Sequence, residues 1–457
     1  MYNDGVAWVP KAVGIGFAAA MLAAGCGGSD GSNIAGPGTL PQPTNAQLAA
    51  AGLAKLPVAP DSDRVDLAAP TFSDPTRVTN PLFPIGELRS AVLSGRVEGK
   101  PFHTETTLLP HTRLIEWSEG EQVEALVSQY VAYLDGRIEE VALDYYAQAD
   151  DESVWYFGED VFNYDEDGAV GDTEGTWLAG RDGPPAMIMP GDPQVGDVFR
   201  TENIPAIAFE EVTVKTVGKT VDGPSGPVEG AMVGEELHDD GATSDKVFAP
   251  GYGEFFTRDR GEVEAMALAV PADALSGPTP PELGALTRAA DDALDAARAG
   301  DWAGAAAGER AAEESWAAYR RDETSRRIAG EMERSLTSLS GSIEARDRTA
   351  AGTAAIDVAQ STLDLELRYR SPAAIDQGRF GLWARQALVD ASAGDLGGVR
   401  GDAATLGWIR DRFAGSVDPV ELTRIDAALA ALAEAVADED LAAASDAANQ
   451  LISSSSS

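Results

Sequence analysis

Asp135-Gly136-Arg137-Ile138-Glu139-Glu140-Val141-Ala142-Leu143-Asp144-Tyr145-Tyr146 is the stretch that decides the fold of the N-terminal half. Asp-Gly tolerates the positive φ angles that a tight hairpin turn demands. Behind it, apolar and acidic residues alternate as on a half-buried strand. The same texture extends in both directions. Strand-like runs occupy Glu105–Leu109, Arg113–Trp117, Val123–Leu134, Val154–Phe157, Val212–Val217 and Lys246–Ala249. Turn signals separate them at Asp167-Gly168, Asp182-Gly183, Asp222-Gly223 and Asp240-Gly241. So many hairpins predict an antiparallel β domain over residues 71–273, as a curled sheet or a sandwich.

At Ser276-Gly277-Pro278-Thr279-Pro280-Pro281 the texture breaks, and Ala, Leu, Asp, Glu and Arg dominate from there on. These are helix formers. Ala299-Gly300-Asp301-Trp302 and Ala393-Gly394-Asp395-Leu396 each place Gly where a helix ends and Asp where the next begins. Ala437-Asp438-Glu439-Asp440-Leu441 is a weaker third copy. Short joints of this kind predict antiparallel helices, hence a helical bundle domain over 281–452, with a solenoid of helix pairs as the alternative. Ser453–Ser457 reads as a tail. The expected fold class is therefore α+β with two domains, antiparallel β first and all-α second.

The N-terminus carries a different message. Leu22-Ala23-Ala24-Gly25-Cys26 closes a short apolar run from about Ala12. The run is shorter than the roughly 20 residues a membrane-spanning helix needs and suits a signal peptide behind Lys11. A cysteine at the end of such a run resembles the lipobox of bacterial lipoproteins. That resemblance implies a signal peptide over 1–25, lipid on Cys26, and an extracytoplasmic protein anchored to a bacterial membrane. Residues 26–70 open with Gly27-Gly28-Ser29-Asp30-Gly31-Ser32, are rich in Pro, and read as a flexible tether, with a short helix near Ala46–Lys55. Cys26 is the one cysteine, so no intrachain disulfide braces either domain. With 34 basic against 75 acidic residues the net charge is −41, which disfavours nucleic acid as a partner.

Asn80-Pro81-Leu82-Phe83-Pro84, Leu143-Asp144-Tyr145-Tyr146-Ala147-Gln148, Val154-Trp155-Tyr156-Phe157-Gly158-Glu159-Asp160 and Thr173-Glu174-Gly175-Thr176-Trp177 lead on to Ala179-Gly180, Met189-Pro190 and Phe248-Ala249-Pro250-Gly251-Tyr252-Gly253. Over about residues 80–268 this pattern resembles a group of bacterial exported proteins, many of them lipoproteins, to which no activity is assigned. The chain departs from the group at Gly183-Pro184-Pro185-Ala186-Met187. The resemblance implies a fold and an address and leaves the chemistry open.

Four candidate sites come from the residues themselves. Asn163, Asp165, Asp167, Gly168 and Glu174 fall at positions 1, 3, 5, 6 and 12 of a calcium-binding EF-hand loop. The flanks read as strands, so the competing expectation is an acidic hairpin. His103, His111 and His238 are the three histidines, and zinc or copper would need them beside carboxylates such as Glu105. Tyr146, Trp155, Phe157 and Trp177 belong to an aromatic cluster that either lines a ligand groove or forms the core of the sheet. Asp364, Glu366, Arg368 and Arg370, with Asp376 and Arg379 nearby, predict an ion-pair network within the helical half, with a ligand pocket between helices as the alternative. No Gly-x-Ser-x-Gly elbow is present, and paired carboxylates are uninformative in so acidic a chain. The expected function is noncatalytic binding or scaffolding at the cell envelope. A carboxylate-dependent hydrolase of envelope polymers and a divalent-cation (calcium) binding protein are the alternatives. Envelope proteins or glycans are the expected partners beyond the membrane.

Overall fold

A computed structural model describes residues 38–455, apart from 260–261 and 321–323. Cys26 and the segment expected to be a signal peptide lie outside the described residues. Asp135 and Gly136 both take positive φ and turn the chain between β3 (Glu121–Leu134) and β4 (Arg137–Gln148). With β1 (Ser90–Val97), β2 (Lys100–Ser118) and β5 (Val154–Tyr164) they form an antiparallel meander. Three short strands, β6 (Val170–Asp172), β7 (Trp177–Leu178) and β8 (Ala186–Met189), pair with β5. A second meander runs through β9 (Val198–Ile204), β10 (Ala208–Gly223), β11 (Gly226–His238), β12 (Thr243–Ala249), β13 (Gly253–Asp259) and β14 (Glu262–Val270). β14 pairs with β1, far back in the sequence, and fuses the two meanders into one fourteen-stranded sheet. The sheet is not closed, with β6 and β9 at the ends of its path. Its curl buries most of β1, β4, β8 and β9, while the far end of β2, the second half of β10 and the start of β11 stay exposed. Every residue of β8 and β9 is buried, so these strands read as core on both faces.

Helices α2 (Pro281–Ala299), α3 (Trp302–Tyr319), α4 (Arg326–Ala345), α5 (Arg348–Glu366), α6 (Pro372–Ala393), α7 (Leu396–Phe413), α8 (Pro419–Ala437) and α9 (Leu441–Ser455) make the expected helical bundle; α1 (Asn45–Ala50) lies earlier in the chain. The Gly-Asp joints work as the sequence implies. Gly300 and Gly394 adopt the left-handed conformation, and Asp301 and Asp395 accept hydrogen bonds from the amides of Gly304 and Gly398 at 3.0 and 2.9 Å. Asp440 caps α9 in the same way. Leu286, Leu294, Met332, Leu339 and Leu365 close one apolar core, and Phe380, Leu406, Phe413 and Leu432 a second, with α6 shared between them. Each buried side chain of this size contributes about 1.5–3 kcal/mol. The first core also takes in Val92, Ala267 and Leu268, so the bundle packs directly on the sheet.

The tether reading is corrected for residues 38–70. Leu40 and Leu53 are buried, and the chain pairs with the sheet edge, where Val65 N–H donates to the carbonyl of Val198 at 2.9 Å. Asp66 receives both Arg64 Nε and Nη2, at 2.9 and 2.7 Å, and the amide of Arg200 at 3.0 Å. Arg200 in turn reaches Glu211 and Asn203. Proline enrichment disguised a strap held by buried charge as a linker.

Candidate functional site

Strand alternation sends one set of side chains into the curl of the sheet, and an unusual number of them are acids. Register sets Glu202 of β9 opposite Glu210 of β10, and Glu210 opposite His238 of β11. Glu236, two residues before His238, lies opposite Ser244 of β12. Across the curl, Glu159 of β5 faces Asp144 of β4, whose carboxylate accepts from Tyr156 Oη at 2.8 Å. Glu140 and Glu264 extend the acidic belt, with Thr104 donating to Glu264 at 2.5 Å. Lys246 is the ammonium within this belt, 3.1 Å from Glu236 and 3.8 Å from Glu254.

Burial acts first on these groups, raising every carboxyl, and the neighbours then decide the outcome. Glu140 is pushed up to about 8 by burial and by the charges of Asp144 and Glu139. Glu264 also reaches about 8, and Asp144 and Glu236 about 7. Glu159 and Glu202 are driven well above the carboxylate range by burial and nearby acids, and they lie close enough for a proton on one to bond the other. Glu210 goes the opposite way. Burial would raise it, but His238 and Lys246 hold it below its ordinary value. Burial would lower His238, yet Glu210, 3.0 Å from Nδ1, and Glu236 push it up to about 9.

A cavity of about 30 Å³ opens within this belt, lined by Glu202, Glu210, Glu236, Glu254, Lys246 and Thr201, with Tyr146, Tyr156, Phe83 and Phe248 among its walls. Such a volume holds a water or two, or an ion, and does not admit a sugar ring. Glu202 is fully buried. Among the described residues no N–H or hydroxyl donor reaches either of its carboxyl oxygens, nor Oε1 of Glu236 or Glu159. Buried carboxyl oxygens ordinarily have donors, because leaving them bare costs on the order of 1–3 kcal/mol each.

The sequence-derived candidates separate on this structure. Of the aromatic cluster, Tyr146 reaches the cavity, stacked on Tyr156 at 4.8 Å. Trp155, Phe157 and Trp177 are at most 2 % exposed. Phe157 packs edge-on against Phe72, and Trp177 against Tyr156. The groove reading is therefore corrected to core for these three: β5 is buried on both faces along Val154–Glu159 and has no open side on which to display them.

The calcium loop is corrected to a β-hairpin between β5 and β6. Asp165 accepts the amides of Asp167 and Ala169, and Asn163 donates to Asp172 and to the carbonyl of Glu174. Asn163, Asp165, Asp167 and Glu174 thus serve the turn rather than converge on one point. Gly168, at φ +69°, presses on α7, where an added Cβ would lie 2.4 Å from the carbonyl oxygen of Gly397. Arg400 donates to the Asp167 carbonyl at 2.9 Å. The glycine is required by this backbone contact.

The helical ion network exists and reaches beyond the helices. Arg379 pairs with Asp364 at 2.5 Å, Glu105 of β2 at 3.2 Å and Asp376 at 3.8 Å. Arg412 pairs with Glu105 and bonds Gln129 of β3 at 2.5 Å. Burial alone would raise Glu105, but the two guanidiniums hold it far below its ordinary value. His103 lies beside Glu105, His111 is exposed, and His238 sits in the acidic belt. Sequence reasoning missed the belt because Glu202, Glu210 and Glu236 look like any solvated acids on a strand. The signal available was Val198–Ile204, where Arg, Thr, Glu and Asn sit between Val198-Phe199 and Ile204. No protein-family model matches the chain, and no curated protein matches it.

Proposed function

We propose that this is a noncatalytic binding protein of the cell envelope that holds a divalent cation, calcium being the first candidate, within the acidic belt of its sheet. The observation that carries the reading is Glu202, fully buried on the cavity, where among the described residues no N–H or hydroxyl donor reaches either carboxyl oxygen and only a proton shared with Glu159, or a cation, serves it. Calcium takes six to eight oxygens at about 2.3–2.6 Å and is matched by carboxylates and hydroxyls converging on a small space. Glu202, Glu210, Glu236, Glu254 and Thr201 provide them from four strands. The envelope address rests on the resemblance of Leu22–Cys26 to a lipobox. The small volume favours an ion over an envelope polymer, and hence binding over hydrolysis.

The test is thermal unfolding of the full chain after chelation and then with added calcium. A ligand bound to the folded state alone raises the midpoint by mass action. A concentration-dependent rise in the native protein, lost in Glu202→Gln and kept in Asp165→Ala, is expected. An unchanged midpoint, or a rise that Glu202→Gln retains, overturns the reading.

A further inference from the structure

Period-two alternation makes β2 serve two places at once. Thr104 points into the curl and bonds Glu264. Its neighbours His103 and Glu105 point outward, where the helices cover the sheet. There His103 meets Glu331 of α4 and Asp364 of α5, with one ligand atom from each lying within 4.8 Å of the others. We propose that His103, Glu331 and Asp364 form a site for a divalent first-row transition metal, zinc in the first instance, that clasps the sheet to the helical bundle. This site is separate from the acidic belt and stands independently of the calcium reading.

Three observations carry it. The first is the donor set: one imidazole and two carboxylates make a three-ligand zinc site, and the imidazole selects a transition ion over calcium. Zinc bonds of about 2.0–2.2 Å place tetrahedral ligands about 3.3 Å apart, so the three groups need shifts on the order of 1 Å to close on an ion. The second is the support around the ligands. Asp364 is fixed by Arg379 at 2.5 Å, and Glu105 stands 3.6 Å from His103 Nε2, as a carboxylate stands behind many metal-bound imidazoles. Arg327 and Arg334, on the same helix, lie close enough for their charges to act on Glu331. The third is access. The His103 side chain is 28 % exposed and Glu331 half-buried, which leaves an approach from solvent to the otherwise buried Asp364.

The experiment titrates the chelated full chain with cobalt(II), whose visible bands report tetrahedral coordination, and with zinc in thermal unfolding. The native chain is expected to show both the bands and a raised midpoint. His103→Ala and Glu331→Gln are each expected to weaken binding at least tenfold, while Glu202→Gln and His238→Ala leave it unchanged. Should His103→Ala fail to fold, Glu331→Gln decides, since that residue is half-buried on a helix. Absence of bands and of a zinc shift in the native chain overturns the proposal. So do bands that survive Glu331→Gln, or that vanish with His238→Ala, which would place the ion in the belt. Loss of the calcium response with the cobalt response intact would overturn the calcium reading alone.

Discussion

Glu202 and Glu210 are directly opposed on β9 and β10, and the fold drives their carboxyls apart in acidity. Burial and the neighbouring Glu159 push Glu202 well above the carboxylate range, whereas His238 and Lys246 hold Glu210 below its ordinary value. A cation entering between them displaces the proton on Glu202. Calcium affinity is therefore expected to rise with pH, by about tenfold per unit for each proton released. Calorimetry at neutral pH in two buffers of different ionisation enthalpy checks this. Binding enthalpies that agree between the buffers would mean that no proton leaves.

The belt also fixes how stability responds to pH without a ligand. Glu140 and Glu264 titrate at about 8 in the folded chain, Asp144 and Glu236 at about 7, all raised. A raised carboxyl contributes stability that is complete below its ordinary value and is lost as pH climbs through the folded one. His103 and His238, raised to about 9, lose their contribution between about 6.5 and 9. Glu105 and Glu210, both lowered, lose theirs only on the acid side, below their ordinary values. The unfolding midpoint should thus peak near pH 5 and fall steadily towards pH 9, with Glu140→Gln flattening the alkaline limb. A midpoint that rises from pH 5 to 8 would contradict this assignment.

How far the sequence reveals this arrangement depends on the range of the interaction. Local signals are readable. Asp135-Gly136 makes its hairpin, and Gly300-Asp301 and Gly394-Asp395 end and start helices, because a turn or a cap is satisfied within a few residues. The pairing of β14 with β1 and the burial of Arg64, Asp66 and Arg200 are set by partners more than a hundred residues apart. Glu202 carries only a faint local mark, as an acid between Thr201 and Asn203 in the run Val198–Ile204. Its character comes from a curl that no single strand encodes, and an acid in an acidic chain reads as solvated until its register partners are known. The aromatic run misleads for the same reason, since both faces of β5 are covered where it lies.

Asp66 offers a test of the strap. Removing its carboxylate leaves buried Arg64 with only the Gln42 oxygen and the more distant Asp61, and strips the acceptor from the Arg200 amide. Breaking a buried pair in this way costs about 3–5 kcal/mol. Asp66→Ala should lower the denaturant midpoint and open residues 38–70 to limited proteolysis before the rest of the sheet. Cleavage that begins elsewhere in this variant would show that the segment is held by other contacts.

Gly168 tests the contact between the acidic hairpin and α7. A methyl group there meets the Gly397 carbonyl and the Gly401 amide, at 2.4 and 2.5 Å, on a backbone already at φ +69°. Neither neighbour is a flexible side chain, so the hairpin must withdraw. That loosens the Arg400 bond to Asp167 and the Trp408 Nε1 bond to Tyr164 Oη, 2.8 Å long. Gly168→Ala is expected to destabilise the protein by about 1–3 kcal/mol and to raise hydrogen exchange in the first turns of α7. Asp165→Ala removes two turn hydrogen bonds without touching the helix, so it should cost less and leave α7 protected. If the two variants behaved alike, the hairpin's role would be confined to its own turn and the docking onto α7 would carry no stability.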